Sequence, residues 1–165
     1  MNNGLNGLPP GVSVAVSQYL CVRDEKTTTT VGGTSVAADI TQTRTLNATQ
    51  ANTISGASLA ANTITLPAGT YQVKATVPCG NVSGFQAFLY NSSDSTYALI
   101  GTSGNANAAA NSNASFIGGQ FTIASSKNFT IRHYTSAATA TNGLGPPSSS
   151  GQTEVYTQVE IWKVA

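Results

Sequence analysis

Alternation with a period of two restricts what this chain can become more than any other feature. Apolar and polar side chains trade places residue by residue over strand-length stretches, and the 3.6-residue spacing of a helix face is hard to find anywhere. Val14, Val16, Leu20 and Val22 share one face of a first stretch, with Gln18 as the exception. Tyr71, Val73, Ala75 and Val77 oppose Gln72, Lys74 and Thr76. Phe85, Ala87 and Leu89 alternate with Gln86, Phe88 and Tyr90, a stretch apolar on both faces. Phe129, Ile131 and His133 oppose Thr130, Arg132 and Tyr134, and Val155, Thr157, Val159 and Ile161 oppose Tyr156, Gln158, Glu160 and Trp162. Successive strand side chains point to opposite sides of a sheet, so these are half-buried strands. Turn signals lie between them: Leu66-Pro67-Ala68-Gly69, where Gly69 is free to take positive φ, and Asn91 to Ser95. Ser125-Ser126-Lys127-Asn128 reads as a hairpin turn from Phe121/Ile123 to Phe129/Ile131. About eight to ten short antiparallel strands are predicted, an all-β jelly-roll sandwich.

Three stretches depart from the alternation. Residues 1–11 form an arm too poor in apolar side chains to fold alone, stiffened at its exit by Pro9-Pro10. Gly101 to Ser115 is rich in Gly, Asn and Ala and reads as a loop. Ser136 to Gln152, with Gly143, Gly145, Pro146-Pro147 and three consecutive serines, reads as a long exposed loop. The expected organisation is an arm over 1–11 and one domain over 12–165, a length at which folding removes roughly 70% of the unfolded chain's surface from water.

Composition narrows the function. Charged residues make up 8% of the 165, and Thr, Ser and Asn together supply 55, a third of the chain. A typical domain carries roughly 25% charge, so this surface is built from uncharged polar groups. A net charge of +1 gives neither a basic nucleic-acid face nor a polybasic membrane patch. No window approaches the roughly 20 apolar residues of a membrane helix. No basic start with an apolar run opens the chain, so synthesis in a cytoplasm is expected.

Chemistry has little material to work with. Cys21 and Cys79 read as two small buried side chains rather than a disulfide, and with one histidine they do not make a zinc site. His133 has no neighbouring nucleophile or carboxylate motif and reads as a core or interface histidine. Asp24 and Glu25 are adjacent and point to opposite strand faces, so they do not converge with each other as a catalytic pair. Only a pairing of one with Glu154 or Glu160 stays open. Ion pairs from Arg23-Asp24-Glu25-Lys26 to Arg44 or Lys163 are the expected use of that cluster. Asp39 and Asp94 are isolated, too few oxygens for calcium. No hydrolase, metalloprotease or nucleotide-binding motif is present. The expectation is a protein that is not an enzyme, with no cofactor, no metal and no catalytic residue.

Assembly is expected instead. Sheets leave unpaired backbone on their edge strands, which monomers commonly guard with Lys, Pro or inward charges. This chain has four Lys, none clustered in a strand, and near-zero net charge removes the repulsion that keeps copies apart.

An ordered series of segments carries a resemblance. It comprises Arg23-Asp24-Glu25-Lys26, Thr43-Arg44-Thr45-Leu46-Asn47, Ile54-Ser55-Gly56-Ala57-Ser58-Leu59, Ile64-Thr65-Leu66-Pro67-Ala68-Gly69-Thr70-Tyr71, Phe88-Leu89-Tyr90-Asn91, Ile100-Gly101-Thr102-Ser103 and Glu154 through Lys163. Together they resemble the C-terminal domains of bacteriophage fibre proteins, whose jelly roll is like that of complement and tumour necrosis factor. The resemblance runs from about Tyr19 to Lys163 and implies a homotrimer displayed on a virion surface. Phe88, Tyr90, Tyr156, Gln158 and Trp162 are the expected trimer interface. The family's long upstream shaft has no counterpart here, so a capsid decoration or short head fibre is expected, anchored to a capsid or tail protein through Leu5, Leu8, Pro9 and Pro10. The alternative is a tail-fibre tip holding a host receptor or glycan through the loops at 101–115 and 136–152, with Asn105, Asn107, Asn111 and Asn142 as contacts. No nucleic-acid partner and no membrane insertion are expected.

Overall fold

A computed structural model of the chain describes residues 18–107 and 112–164. The arm, Val14, Val16 and Asn111 lie outside the described residues. Eleven strands are described: β1 (Gln18–Lys26), β2 (Ala48–Asn52), β3 (Ser58–Ala60), β4 (Thr63–Leu66), β5 (Gly69–Gly80), β6 (Ser83–Asn91), β7 (Thr96–Ile100), β8 (Gly104–Ala106), β9 (Ser112–Ile123), β10 (Lys127–Thr135) and β11 (Glu154–Lys163). No helix occurs among the described residues. The count exceeds the eight to ten expected because three-residue strands such as β3 and β8 are too short to show a period.

Two antiparallel sheets form the sandwich, one ordered β2-β1-β11-β5-β9 and the other β3-β4-β10-β6-β7, with β8 also paired to β6. Register explains the core. Leu20 and Val22 pair with Ile161 and Val159, which in turn pair with Val73 and Ala75, so one face of this sheet is continuously apolar. Phe129, Ile131, Leu89 and Ile64 face it from the second sheet, all fully buried. The core is graded along its length. Tyr71, Phe121 and Phe129 stack at the end where β1 begins, whereas the other end holds buried Arg44, Ser115, His133, Thr135 and Thr157.

Four expectations are corrected. The 124–126 turn is not a hairpin, because β9 pairs with β5 in one sheet and β10 with β4 and β6 in the other. Phe121 and Phe129 meet at 5.0 Å across the sandwich instead of side by side. Residues 101–115 are not one loop: they contain β8 and the start of β9, and Gly101 and Thr102 donate to Ala87 O and Phe116 O, tying the two sheets together at their edge. A Cβ on Gly101 would lie 2.9 Å from Ala87 O, which is why the smallest residue stands there.

Residues 136–152 are not a free loop either. Ser35, Gly33 and Gly32 donate to Thr139, Thr141 and Gly145, and Leu144 is 8% exposed. Glycines permit so close a crossing, which composition alone reads as exposure. Finally, the charged cluster pairs within itself, Lys26 with Asp24 at 2.6 Å and Arg23 with Glu25 at 3.7 Å, and neither Arg44 nor Lys163 joins an ion pair among the described residues. Asp24 is buried and Glu25 part-exposed, so the two carboxylates diverge as the alternation predicts. Both cysteines are free and buried.

Candidate functional site

Inward alternation on β1, β11, β5 and β9 leaves the intervening residues on the outer face of that sheet. Cross-strand rows run Gln158–Thr76–Phe116, Glu160–Lys74–Gly118 and Trp162–Gln72–Gln120. Their centre is a hollow of about 570 Å³. Gly118 lines it without a side chain, and a Cβ there would meet nothing within 4 Å. The rim is apolar where the two sheets meet: Phe116 is 56% exposed and Ile100 63%. Toward β1 the face is braced by Tyr19, whose ring lies 5.2 Å from Trp162 and whose hydroxyl donates to Glu160 at 2.8 Å. Burial and that carboxylate push the Tyr19 phenol above its usual range, so it stays a donor.

The expected interface residues do not share one surface. Tyr156, Gln158 and Trp162 stand in one column of β11 on this outer face, but Tyr156 is 6% exposed. Its hydroxyl donates to Thr30 O at 2.6 Å, and its ring lies where a Cβ on Gly145 would clash. Phe88 and Tyr90 lie on the outer face of the other sheet, against Tyr97 at 5.1 and 5.3 Å, with the Arg132 guanidinium 3.4 Å over the Tyr90 ring. Periodicity assigns a side chain to a face of its strand and says nothing of which sheet the strand joins. Phe116 and Ile100, the exposed apolar pair of the hollow, flank the Gly-, Asn- and Ala-rich stretch 101–115, whose composition hides them from alternation.

The receptor-loop residues divide similarly. Asn105 and Asn107 are exposed, on and just after β8. Asn142 is part-buried in a turn, its N–H donating to Ala140 O at 2.9 Å. Both loops meet at the start of β6, where Asn105 pairs with Gly84 and the Gly84 N–H donates to Ser136 Oγ at 2.8 Å. Leu5, Leu8, Pro9, Pro10 and Asn111 lie outside the described residues. By register, Gln18 pairs with Lys163 at one end of the sandwich, and both loops stand at the other.

Candidate chemistry is sparse in the same terms. His133 is 4% exposed, and neither ring nitrogen has a protein partner. No group of three or more His, Cys, Asp or Glu that would hold a metal is present among the described residues.

No family model matches the chain, and no curated protein matches its sequence. Solved structures do match in shape. The globular domain of zebrafish complement 1qA protein superposes with a TM-score of 0.56 at 12% identity, over 91% of this chain and 98% of that one. The fold is a complement/TNF-like jelly roll. Eiger TNF from S. frugiperda gives 0.57 at 10% identity over 90% and 93% of the two chains. Murine APRIL gives 0.52 at 12% identity over 90% and 100%. At these identities the likeness is one of fold.

Proposed function

We propose that this chain is a homotrimeric structural protein of a bacteriophage virion, a capsid decoration or short head fibre. Its arm at 1–11 binds the particle and its jelly roll faces outward at the virion surface. The observation that carries the assembly half is the outer face of the β2-β1-β11-β5-β9 sheet, with its hollow and its rim of exposed Phe116 and Ile100. Apolar side chains standing beside a concave face of the same molecule favour burial against further copies. The virion half rests on the sequence resemblance to fibre domains. It gains support from polarity: β1 begins at the end opposite the two loops, so a chain arriving through the arm presents those loops away from its anchor. The protein acts in this reading by packing and display, without a chemical step.

Deleting residues 1–10 tests the anchor. The truncated protein keeps the wild-type far-ultraviolet spectrum and oligomeric mass but fails to join particles when added to virions lacking it. Undiminished incorporation refutes the attachment role.

The convergence of both loops on the start of β6 favours a second reading, a tail-fibre tip that holds a host receptor or glycan at that end. Binding of the purified protein to host cells or glycans, lost when both loops are exchanged for unrelated ones, marks this role.

A further inference from the structure

The polar end of the core holds a feature that assembly does not require. Arg44 is 1% exposed and is the largest fully buried side chain described. Its Nε donates to Thr157 Oγ1 at 2.9 Å and its Nη2 to Leu144 O at 2.7 Å, while Nη1 has no protein partner. His133, 4% exposed on β10, likewise has neither ring nitrogen bonded to protein. Both line one small cavity between the sheets, with room for about a single water-sized sphere (about 10 Å³). The other polar groups around it are satisfied: Ser115 Oγ donates to Thr102 O at 2.7 Å and accepts from the Ala87 N–H, and Thr135 Oγ1 donates to Val36 O.

Charge decides what such a cavity wants. Asp24 is the carboxylate whose charge reaches the Arg44 guanidinium, but it lies beyond ion-pair distance and is already held by Lys26 at 2.6 Å. Burial lowers the Arg44 pKa to about 10, which leaves it cationic at neutral pH. Burial and the nearby guanidinium lower the His133 pKa to about 3, so its imidazole is neutral and offers one N–H. Burial raises the Cys79 thiol to about 12, and it supplies no counter-charge. A buried cation without a partner is among the costlier arrangements a core can hold. A water in the cavity would satisfy hydrogen bonds but supply no counter-charge, and Asp24 is shared with Lys26.

We propose that the cavity between Arg44 and His133 is a structural site for one small monovalent anion of the halide class, held by Arg44 Nη1–H and an imidazole N–H. The anion completes the polar end of the core, as the apolar stack completes the other.

Two measurements on the full chain test this. In crystals of protein dialysed into sodium bromide, an anomalous peak at the bromine edge is expected between Arg44 and His133. A cavity without that peak, holding water or nothing, overturns the proposal. Thermal unfolding is then compared in chloride and in gluconate at equal ionic strength. Chloride at a hundred times its dissociation constant is expected to raise the melting temperature by roughly 5–10 °C. The Arg44→Met variant loses this difference, and His133→Asn reduces it. Equal melting temperatures in the two salts, or a difference that survives in Arg44→Met, refute the site. The bromide measurement needs no variant, so it decides the matter even where a substitution prevents folding.

Discussion

Glu154 shows how a single side chain organises a loop. Its carboxylate accepts from the Ser148 N–H and hydroxyl at 2.9 Å, from the Ser149 N–H at 2.9 Å and from the Thr29 N–H at 3.2 Å. The Ser148 amide leads this set of donors, and together they hold the Glu154 pKa down to about 2, against 4.5 for a free side chain. A depressed carboxylate pKa stabilises the fold above the unfolded value, and the contribution disappears as pH falls through the folded one. Wild type is therefore expected to exceed Glu154→Gln in urea midpoint at neutral pH, with the gap closing between pH 4.5 and about 2. His133 also costs stability as pH drops below 6.5, because the unfolded chain binds its proton first, but both proteins share that loss. A gap that does not change with pH would show that Glu154 is not held this way. Gly143 acts at the same scale by absence. A Cβ there would lie 2.8 Å from Ser35 N, so Gly143→Ala is expected to destabilise the fold by roughly 1–3 kcal/mol in urea melts.

Strands were legible where burial on one side writes an alternation, and less so where other forces hold the chain. The β5, β10 and β11 stretches carry the apolar run on one face, β6 is apolar on both, and the structure keeps each of them. Short β3 and β8 owe their pairing to neighbours, and the 136–145 segment owes its burial to glycines that let it cross residues 32–35. Neither cause leaves a periodic trace. Sheet membership was illegible for a related reason: a turn of three residues joins β9 to β10 whether they pair or cross between sheets. The pairing of β9 with β5 and of β10 with β4 and β6 tells the two apart, and the contact of Phe121 with Phe129 then spans the core. That contact is testable. Phe129 is fully buried, so Phe129→Ala is expected to cost roughly 3–5 kcal/mol in equilibrium unfolding. A loss below 1 kcal/mol would mean that the stack does not span the core.

Of the candidate site, only the β11 column was readable in advance, because Gln158 and Trp162 alternate against a clearly apolar partner face. The exposed apolar rim of the same surface, Phe116 with Ile100, stands where the two sheets are stitched together, and no local pattern signals that meeting. The two halves imply different behaviour on substitution. Tyr156 is wrapped by its own chain, so Tyr156→Ala is expected to damage the fold itself. Phe116 is 56% exposed, so in the proposed assembly Phe116→Glu is expected to leave the fold intact and to act between copies. By light scattering the wild type is expected at about 50 kDa, three times the 16.8 kDa chain. At the same concentration Phe116→Glu is expected at 16.8 kDa with an unchanged far-ultraviolet spectrum, since a carboxylate without a partner at a desolvated contact costs several kcal/mol. A wild type that scatters as a single chain would leave the hollow without its occupant and remove the assembly on which the proposed role depends. A variant that stays trimeric would place the contact elsewhere, with the aromatic cluster of Phe88, Tyr90 and Tyr97 on the opposite sheet as the next surface to alter.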